Sequence, residues 1–271
     1  MAPVSSVPDG EDNTTTDRYR YAAKRQQAIV AALRVAGQVE ATALATDFGV
    51  TSETVRKDLI ALERHGLLRR VHGGAIPVDD VTFEPDVSAR TEYAEEKDRI
   101  ARAALPYLSR AGSIFLDAGS TISRLAELIP GDRELTVFTN TLPIALTLVS
   151  KPNITVHTLG GRVRARTLAE VDAWSARALR EINVDIAFVG TNGISTTRGL
   201  TTPDLAEAAI KRLMLDCGSQ TILLADSSKI GKVSLCQHGE LHDIDVLITD
   251  SGIAPSELTR LHQAGMNVVQ A

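Results

Sequence analysis

The chain has 271 residues, 44% of them hydrophobic and 23% charged, a composition that excludes fibrous and wholly disordered proteins. That length suits two modest domains or one large one, and no run approaches the roughly 20 consecutive apolar residues of a membrane span. The net charge of −5 conceals an asymmetry: residues 18–77 carry 10 Lys and Arg against 5 acids, whereas residues 78–271 carry 19 against 25. A small basic block on a larger acidic body points to a polyanion-binding head whose body has another task; a chance cluster on a solvated face is the plainer alternative. The start of the chain is polar and acidic and lacks the apolar stretch of a secretory signal. Cys217 and Cys236, the two cysteines, suggest reduced thiols and a cytoplasmic setting, with a single bridge as the other possibility.

Residues 1–17 read as a disordered tail, rich in Pro, Ser, Thr and acids and without periodicity. From Tyr19 the pattern turns helical, with Ala22, Arg25, Ile29, Leu33 and Ala36 on one stripe that stops at Gly37. A short helix follows over 41–48, then a tight turn at Gly49-Val50. Thr51 or Ser52 caps a third helix running to His65, whose buried stripe is Val55, Leu59 and Leu62. Leu67–Val71 and Ala75–Ile76 read as two strands joined at His72-Gly73-Gly74. Residues 18–77 thus form a helix, helix, turn, helix, hairpin unit. Residues 78–95 resemble a linker. Beyond Glu96, strands alternate with helices to residue 271, predicting a mostly parallel α/β sheet. The strands are continuous apolar runs, as expected when both faces are covered: 113–116, 135–138, 154–159, 186–189, 221–225, 246–249 and 267–269.

In the head, Thr51, Ser52, Thr54, Arg56 and Lys57 cluster at the start of the third helix while Val55 and Leu59 point inward. A recognition helix enters the major groove in this way, with Arg suited to guanine edges, Lys to phosphates and Ser or Thr to either. Arg69, Arg70 and His72 fall on a hairpin placed to act as a wing along the duplex backbone. The competing reading is a small helical protein-interaction module with a solvated basic face. Several segments closely resemble the DeoR family of bacterial transcriptional regulators. They are Arg25-Gln26-Gln27-Ala28-Ile29, Leu44-Ala45-Thr46-Asp47-Phe48-Gly49-Val50-Thr51, Thr54-Val55-Arg56-Lys57-Asp58-Leu59 and, most specific, Gly66-Leu67-Leu68-Arg69-Arg70-Val71-His72-Gly73-Gly74-Ala75. The family usually carries Arg where this chain has Lys57, which keeps the charge but loses the bidentate fork.

In the body, ligands of open α/β sheets bind beyond the carboxyl ends of the strands. Those ends here carry Asp117-Ala118-Gly119-Ser120-Thr121, Thr139-Asn140-Thr141, Gly160-Gly161-Arg162, Gly190-Thr191-Asn192-Gly193 and Asp226-Ser227-Ser228-Lys229. Each alone is ordinary turn chemistry; together on one sheet edge they suggest a pocket, with a phosphate cradle at the helix start after Gly119. Gly199-Leu200-Thr201-Thr202-Pro203 leads into a helix on which Glu207 and Lys211 share a face. By itself that pair reads as a surface ion pair; beside these loops Lys211, like Lys229, could hold a phosphate. The resemblance to the DeoR family extends to about residue 250. It implies a sensor domain similar to ribose-5-phosphate isomerase, with a phosphorylated sugar or sugar derivative as effector. The pocket it implies comprises Asp117, Gly119, Ser120, Thr121, Thr139, Asn140, Gly161, Arg162, Gly190, Asn192, Gly193, Thr201, Glu207, Lys211 and Lys229. Ser120 replaces the family's usual Thr. Glu170 stands where many relatives have glycine, and a carboxylate there must either point away from a phosphate or signal a different effector.

His238 and His242 have a spacing compatible with a metal on one helix face, but no third ligand is placed by pattern. Trp174 reads as a core filler and the cysteines as inert. No nucleophile, Walker or dinucleotide motif is present, and no cofactor is expected. Three functions compete. The first is a repressor of a carbohydrate operon, released from double-stranded operator DNA by a phosphorylated sugar and working as a dimer or tetramer off the membrane. The second is a sugar-phosphate isomerase with a DNA-binding appendage. The third is a protein-interaction scaffold.

Overall fold

A computed structural model describes residues 13–36, 38–76, 84, 87 and 90–271. The expectations for residues 1–12, for Gly37 and for most of the linker lie outside the described residues. The chain divides into two compact units, 1–79 and 80–271.

The first unit runs α1 (Asn13–Ala36), β1 (Val39–Glu40), α2 (Ala41–Asp47), α3 (Ser52–Arg64), β2 (Arg69–Val71) and β3 (Gly74–Ile76). Helix α1 starts at Asn13, so the expected tail boundary at residue 17 falls too late; Asn and Thr carry no apolar period that could announce a helix. Thr51 caps α3, its Oγ1 accepting the Thr54 N–H at 3.1 Å. Ile29, Leu33, Leu44, Val55, Leu59, Leu62 and Leu68 form the core. The three strands make an antiparallel sheet in the order β1-β3-β2, of which β1 is too short to read from pattern. Gly74 is required where β1 crosses β3, since a Cβ there would collide with the Val39 carbonyl.

The second unit opens with α4 (Ala94–Leu108), slightly ahead of the expected boundary, then β4 (Ser113–Leu116), α5 (Ser120–Leu128), β5 (Leu135–Thr139), α6 (Leu142–Val149) and β6 (Ile154–Thr158). A hairpin of β7 (Arg162–Arg164) and β8 (Ala169–Val171) precedes α7 (Ala173–Arg180) and β9 (Val184–Val189). Next come β10 (Gly193–Ser195), β11 (Gly199–Thr202), α8 (Leu205–Cys217), β12 (Gly218–Leu224) and β13 (Cys236–Gly239). The unit ends with β14 (Val246–Thr249), α9 (Pro255–Gln263) and β15 (Val268–Gln270).

All seven expected strands lie in one parallel sheet of order β15-β14-β12-β9-β4-β5-β6. Alternate residues face opposite cores. Ile114, Leu116, Ile186, Phe188, Ile222 and Leu224 pack toward α4 and α5, whereas Phe115, Ala187, Val189 and Leu223 pack toward α7 and α8. Two small antiparallel elements lie outside the expectation: β7–β8, and a sheet of order β10-β11-β13. Their Arg, Gly and Thr content reads as turn. Trp174 corrects the expectation of a core residue: it is 74% exposed on the first turn of α7, whose buried positions are Ser175 and Leu179.

The strand order sets the position of the site. The chain lays strands outward from β4 through β5 to β6, then returns to β9 and proceeds the other way through β12, β14 and β15. Direction therefore reverses between β4 and β9, which puts the topological switch point between them, the place where open α/β sheets bind ligands beyond the strands' carboxyl ends.

Candidate functional site

At the switch point Asp117 follows β4 and Gly190 follows β9. Asp117 is fully buried. Its Oδ1 accepts the Ala118 N–H at 2.7 Å and its Oδ2 accepts the Gly190 N–H at 2.9 Å. The Lys211 ammonium, buried on α8, donates to the same Oδ2 and to the Gly190 carbonyl at 3.0 Å. The expectation of a surface pair between Glu207 and Lys211 gives way to this long-range pair, because the helix face they share is turned inward. Beside it, Gly119 takes φ 150° as the N-cap of α5, and Ser120 and Thr121 form the first turn. The opening amides of a helix have no intrahelical acceptor and carry its positive dipole end. Asn140 follows β5, and its buried Oδ1 has no hydrogen-bond partner.

Adjoining these residues is a buried ionic cluster absent from the sequence reading. Glu84, 1% exposed, accepts from Arg90 Nη2 at 2.6 Å, from Arg164 Nη1 at 2.5 Å and from Asn192 Nδ2 at 3.3 Å. Arg164 also reaches Asp204 and Glu207, each at 3.0 Å. The Thr167 hydroxyl donates to Glu207, and Arg166 donates to the Glu84 carbonyl. Burial alone would raise the Glu84 carboxyl, but Arg90 and Arg164 hold it below the usual carboxylate range. Glu207 moves the other way: burial and the Glu84 charge push it up against the pull of Lys211, Thr167 and Arg164. Asn192 joins this cluster through Glu84, and its Oδ1 accepts the Thr202 hydroxyl at 3.0 Å.

Other expected site residues are engaged elsewhere. Thr139 Oγ1 donates to the Leu116 carbonyl at 2.8 Å, stitching β5 to β4. Glu170 points into its own hairpin, its Oε2 accepting the Gly160 N–H at 2.9 Å, while Asp172 accepts the Arg162 N–H at 3.0 Å. Carboxylates of the chain therefore already fill that loop's amides. Gly161, at φ 109°, packs so closely on Ser175 and Asp172 that a side chain would clash. Gly193 and Thr201 pair within the β10–β11 register, and Thr201 Oγ1 accepts the Ser234 N–H at 2.8 Å. Lys229 is half-buried after Asp226; burial holds its ammonium below the ordinary lysine range, Asp226 opposing and Lys232 and Arg90 adding to the shift.

Thr191 and His238 meet, a contact the sequence does not announce. Thr191 Oγ1 lies 3.0 Å from the carbonyls of both Gly193 and Thr201 and 3.1 Å from His238 Nε2. The buried Nδ1 of His238 has no hydrogen-bond partner. His242 is well exposed, away from His238, and no group of three His, Cys, Asp or Glu among the described residues is placed to hold a metal. Cys217 and Cys236 are unbridged, and burial pushes the Cys217 thiol up to about 12.

In the first unit, Asp58 faces inward from α3 and accepts from Arg25 Nε at 2.5 Å and Gln26 Nε2 at 3.0 Å, locking α3 onto α1. That anchor leaves Thr54, Arg56 and Lys57 on the outer side of α3. Arg56 is loosely paired with Glu53 at 3.7 Å and remains largely exposed. Ser52 is half-buried, and Arg69 and His72 are exposed on the hairpin. Arg70 is committed to Glu63, donating from its backbone N–H at 2.9 Å and from Nε at 2.6 Å. Burial alone would raise the Glu63 carboxyl; the Arg70 contacts bring it below its usual value.

A winged helix-turn-helix unit joined in sequence to a parallel α/β unit with a buried polar cluster at its switch point defines a two-part DNA-binding regulator with a sensor domain. The chain belongs to the DeoR family: the DeoR-like helix-turn-helix domain matches residues 25–81 and the DeoR C terminal sensor domain matches residues 92–251. It is 34% identical to the HTH-type transcriptional regulator GlpR of Haloferax volcanii, over 91% of this chain and 97% of that one. The lactose phosphotransferase system repressor of Staphylococcus epidermidis is 32% identical over 79% of this chain and 86% of its own. Ribose 5-phosphate isomerase A of Methanocaldococcus jannaschii shares a partial likeness, with TM-score 0.37, 18% identity and coverage of 51% of this chain and 54% of that one. No helix among the described residues is long and apolar enough to cross a membrane.

Proposed function

We propose that this regulator represses a carbohydrate operon and is released from its operator when a phosphorylated sugar binds the switch-point crevice. The supporting observation is the meeting of the β4 and β9 loops around the buried Asp117–Lys211 pair, beside the open first turn of α5. A phosphate is matched by the amides of that turn and the hydroxyls of Ser120 and Thr121, and sugar hydroxyls by the unpartnered Asn140 Oδ1. Lys229 supplies further positive charge. Arg56 reads bases, Lys57, Arg69 and His72 meet phosphates, and two or more copies present paired recognition helices to operator half-sites.

Binding without turnover is the reading favoured by the DNA-binding unit and by relatives that are transcriptional regulators. A thermal-shift screen of phosphorylated and unphosphorylated sugars tests the reading. Ligand at about 100 times its Kd stabilises the folded state by about 2.7 kcal/mol, so the correct phosphorylated sugar raises Tm and its unphosphorylated form does not. No shift with any phosphorylated sugar rejects the effector class, and measurable isomerisation favours an enzyme.

A further inference from the structure

Glu84 sits between Ile76, the end of the first unit's last strand, and Ala94, the start of α4, yet its carboxylate is buried in the α/β unit. It is held there by Arg90, Arg164 and Asn192, and its carbonyl is held by Arg166. A carboxylate so held, one oxygen by Arg90 and the other by Arg164, has the chemistry of a bound anionic ligand. Asn192 follows the loop that carries Gly190, and Arg164 grips Glu207, one turn before Lys211 on α8. Glu84 therefore lies beside the switch point. Arg164 is shared by three carboxylates, those of Glu84, Asp204 and Glu207, while Arg90 holds Glu84 as well.

We infer that Arg164 is an anion-binding residue of the effector crevice and that Glu84 is its internal occupant, a tethered carboxylate that an incoming phosphate must displace. This rests on the crevice being an anion site. A phosphate dianion cannot settle beside Glu84 and Glu207 without severe like-charge repulsion in a poorly screened interior. Displacing Glu84 removes one negative charge and releases the N–H groups that Arg90 and Arg164 give it, while Asp204 and Glu207 keep Arg164 in place. Glu84 lies in sequence between the last strand of the DNA-binding unit and α4, so a ligand that releases it acts on the segment that joins the two in sequence. Effector affinity and DNA affinity thereby become coupled through one side chain, with the ligand shifting the equilibrium by its preference for the released state.

The test is isothermal titration of the full chain with inorganic phosphate, for wild type, Glu84→Gln and Arg164→Gln. With the internal competitor weakened, Glu84→Gln binds phosphate about tenfold tighter, and Arg164→Gln binds it about tenfold or more weaker. Affinity of Glu84→Gln for a duplex obtained by in vitro selection no longer responds to phosphate, which a purely structural role for Glu84 does not predict. Should Glu84→Gln fail to fold, Glu84→Gln/Arg164→Gln removes both charges, and its phosphate affinity falls below wild type. Wild-type phosphate affinity in all variants overturns the inference while leaving the crevice an anion site. Phosphate binding by none of them, wild type included, overturns both.

Discussion

Asp117 and Lys211 stand 94 positions apart and meet in a buried ion pair. Such a pair is held by its surroundings more than it holds them: losing one partner strands the other charge, whereas losing both is often tolerated. Lys211→Met is therefore expected to destabilise the α/β unit by about 3–5 kcal/mol. Asp117→Leu/Lys211→Met should recover much of that loss. Urea midpoints at unchanged slope measure both, and a single variant costing under about 1 kcal/mol would show that the pair does not secure the loops. In the first unit, Arg56→Ala should weaken binding by about 1–3 kcal/mol and relax preference at one base position, while Lys57→Ala should lower the salt slope by about 1. Equal losses across all sequences for both variants would remove the assignment of direct readout to Arg56. Residue identities at strand ends were legible because polar and glycine residues interrupt apolar runs. The roles of Glu84 and Arg164 were not, since a contact between residues 80 positions apart leaves no periodic trace.

At the scale of elements, the parallel strands were legible because both faces are buried and the runs stay apolar. The β7–β8 hairpin and the β10–β11–β13 sheet were not, being built from charged, Gly and Thr residues whose pairing is set by neighbours. Strand β9 begins beside Asp185, whose Oδ2 accepts the Ser113 N–H at 2.8 Å, the Gly112 N–H at 2.7 Å and the Ser113 hydroxyl at 3.1 Å. These hydrogen bonds, the Ser113 N–H foremost, hold its carboxyl below the ordinary aspartate range. A depressed folded-state value means the stabilisation is complete above the ordinary aspartate value, about 3.9, and is lost as pH falls through the lower folded value. Asp185→Asn should lower Tm near neutral pH, and the gap from wild type should close in acid below that range. A gap independent of pH would assign the effect to packing instead of charge.

At the scale of the molecule, charge asymmetry and element order together made the division into a basic head and an α/β body legible. Structure places the division at residues 79 and 80, within the expected linker. What composition could not reveal is that Glu84, in that linker, belongs to the body's ionic core. Homo-oligomerisation belongs at this scale too. A protein that reads paired half-sites should sediment as a dimer or larger at the concentrations at which it binds operator, and a monomer binding at full affinity would contradict it.

The proposed function requires that effector binding in the α/β unit and operator binding by α3 be coupled. The most direct measurement is a closed cycle: operator affinity with and without saturating sugar phosphate, and sugar-phosphate affinity with and without saturating operator. The account predicts that each ligand weakens the other by the same factor, about 5–150-fold. Operator affinity that stays constant while the sugar phosphate demonstrably binds would contradict it.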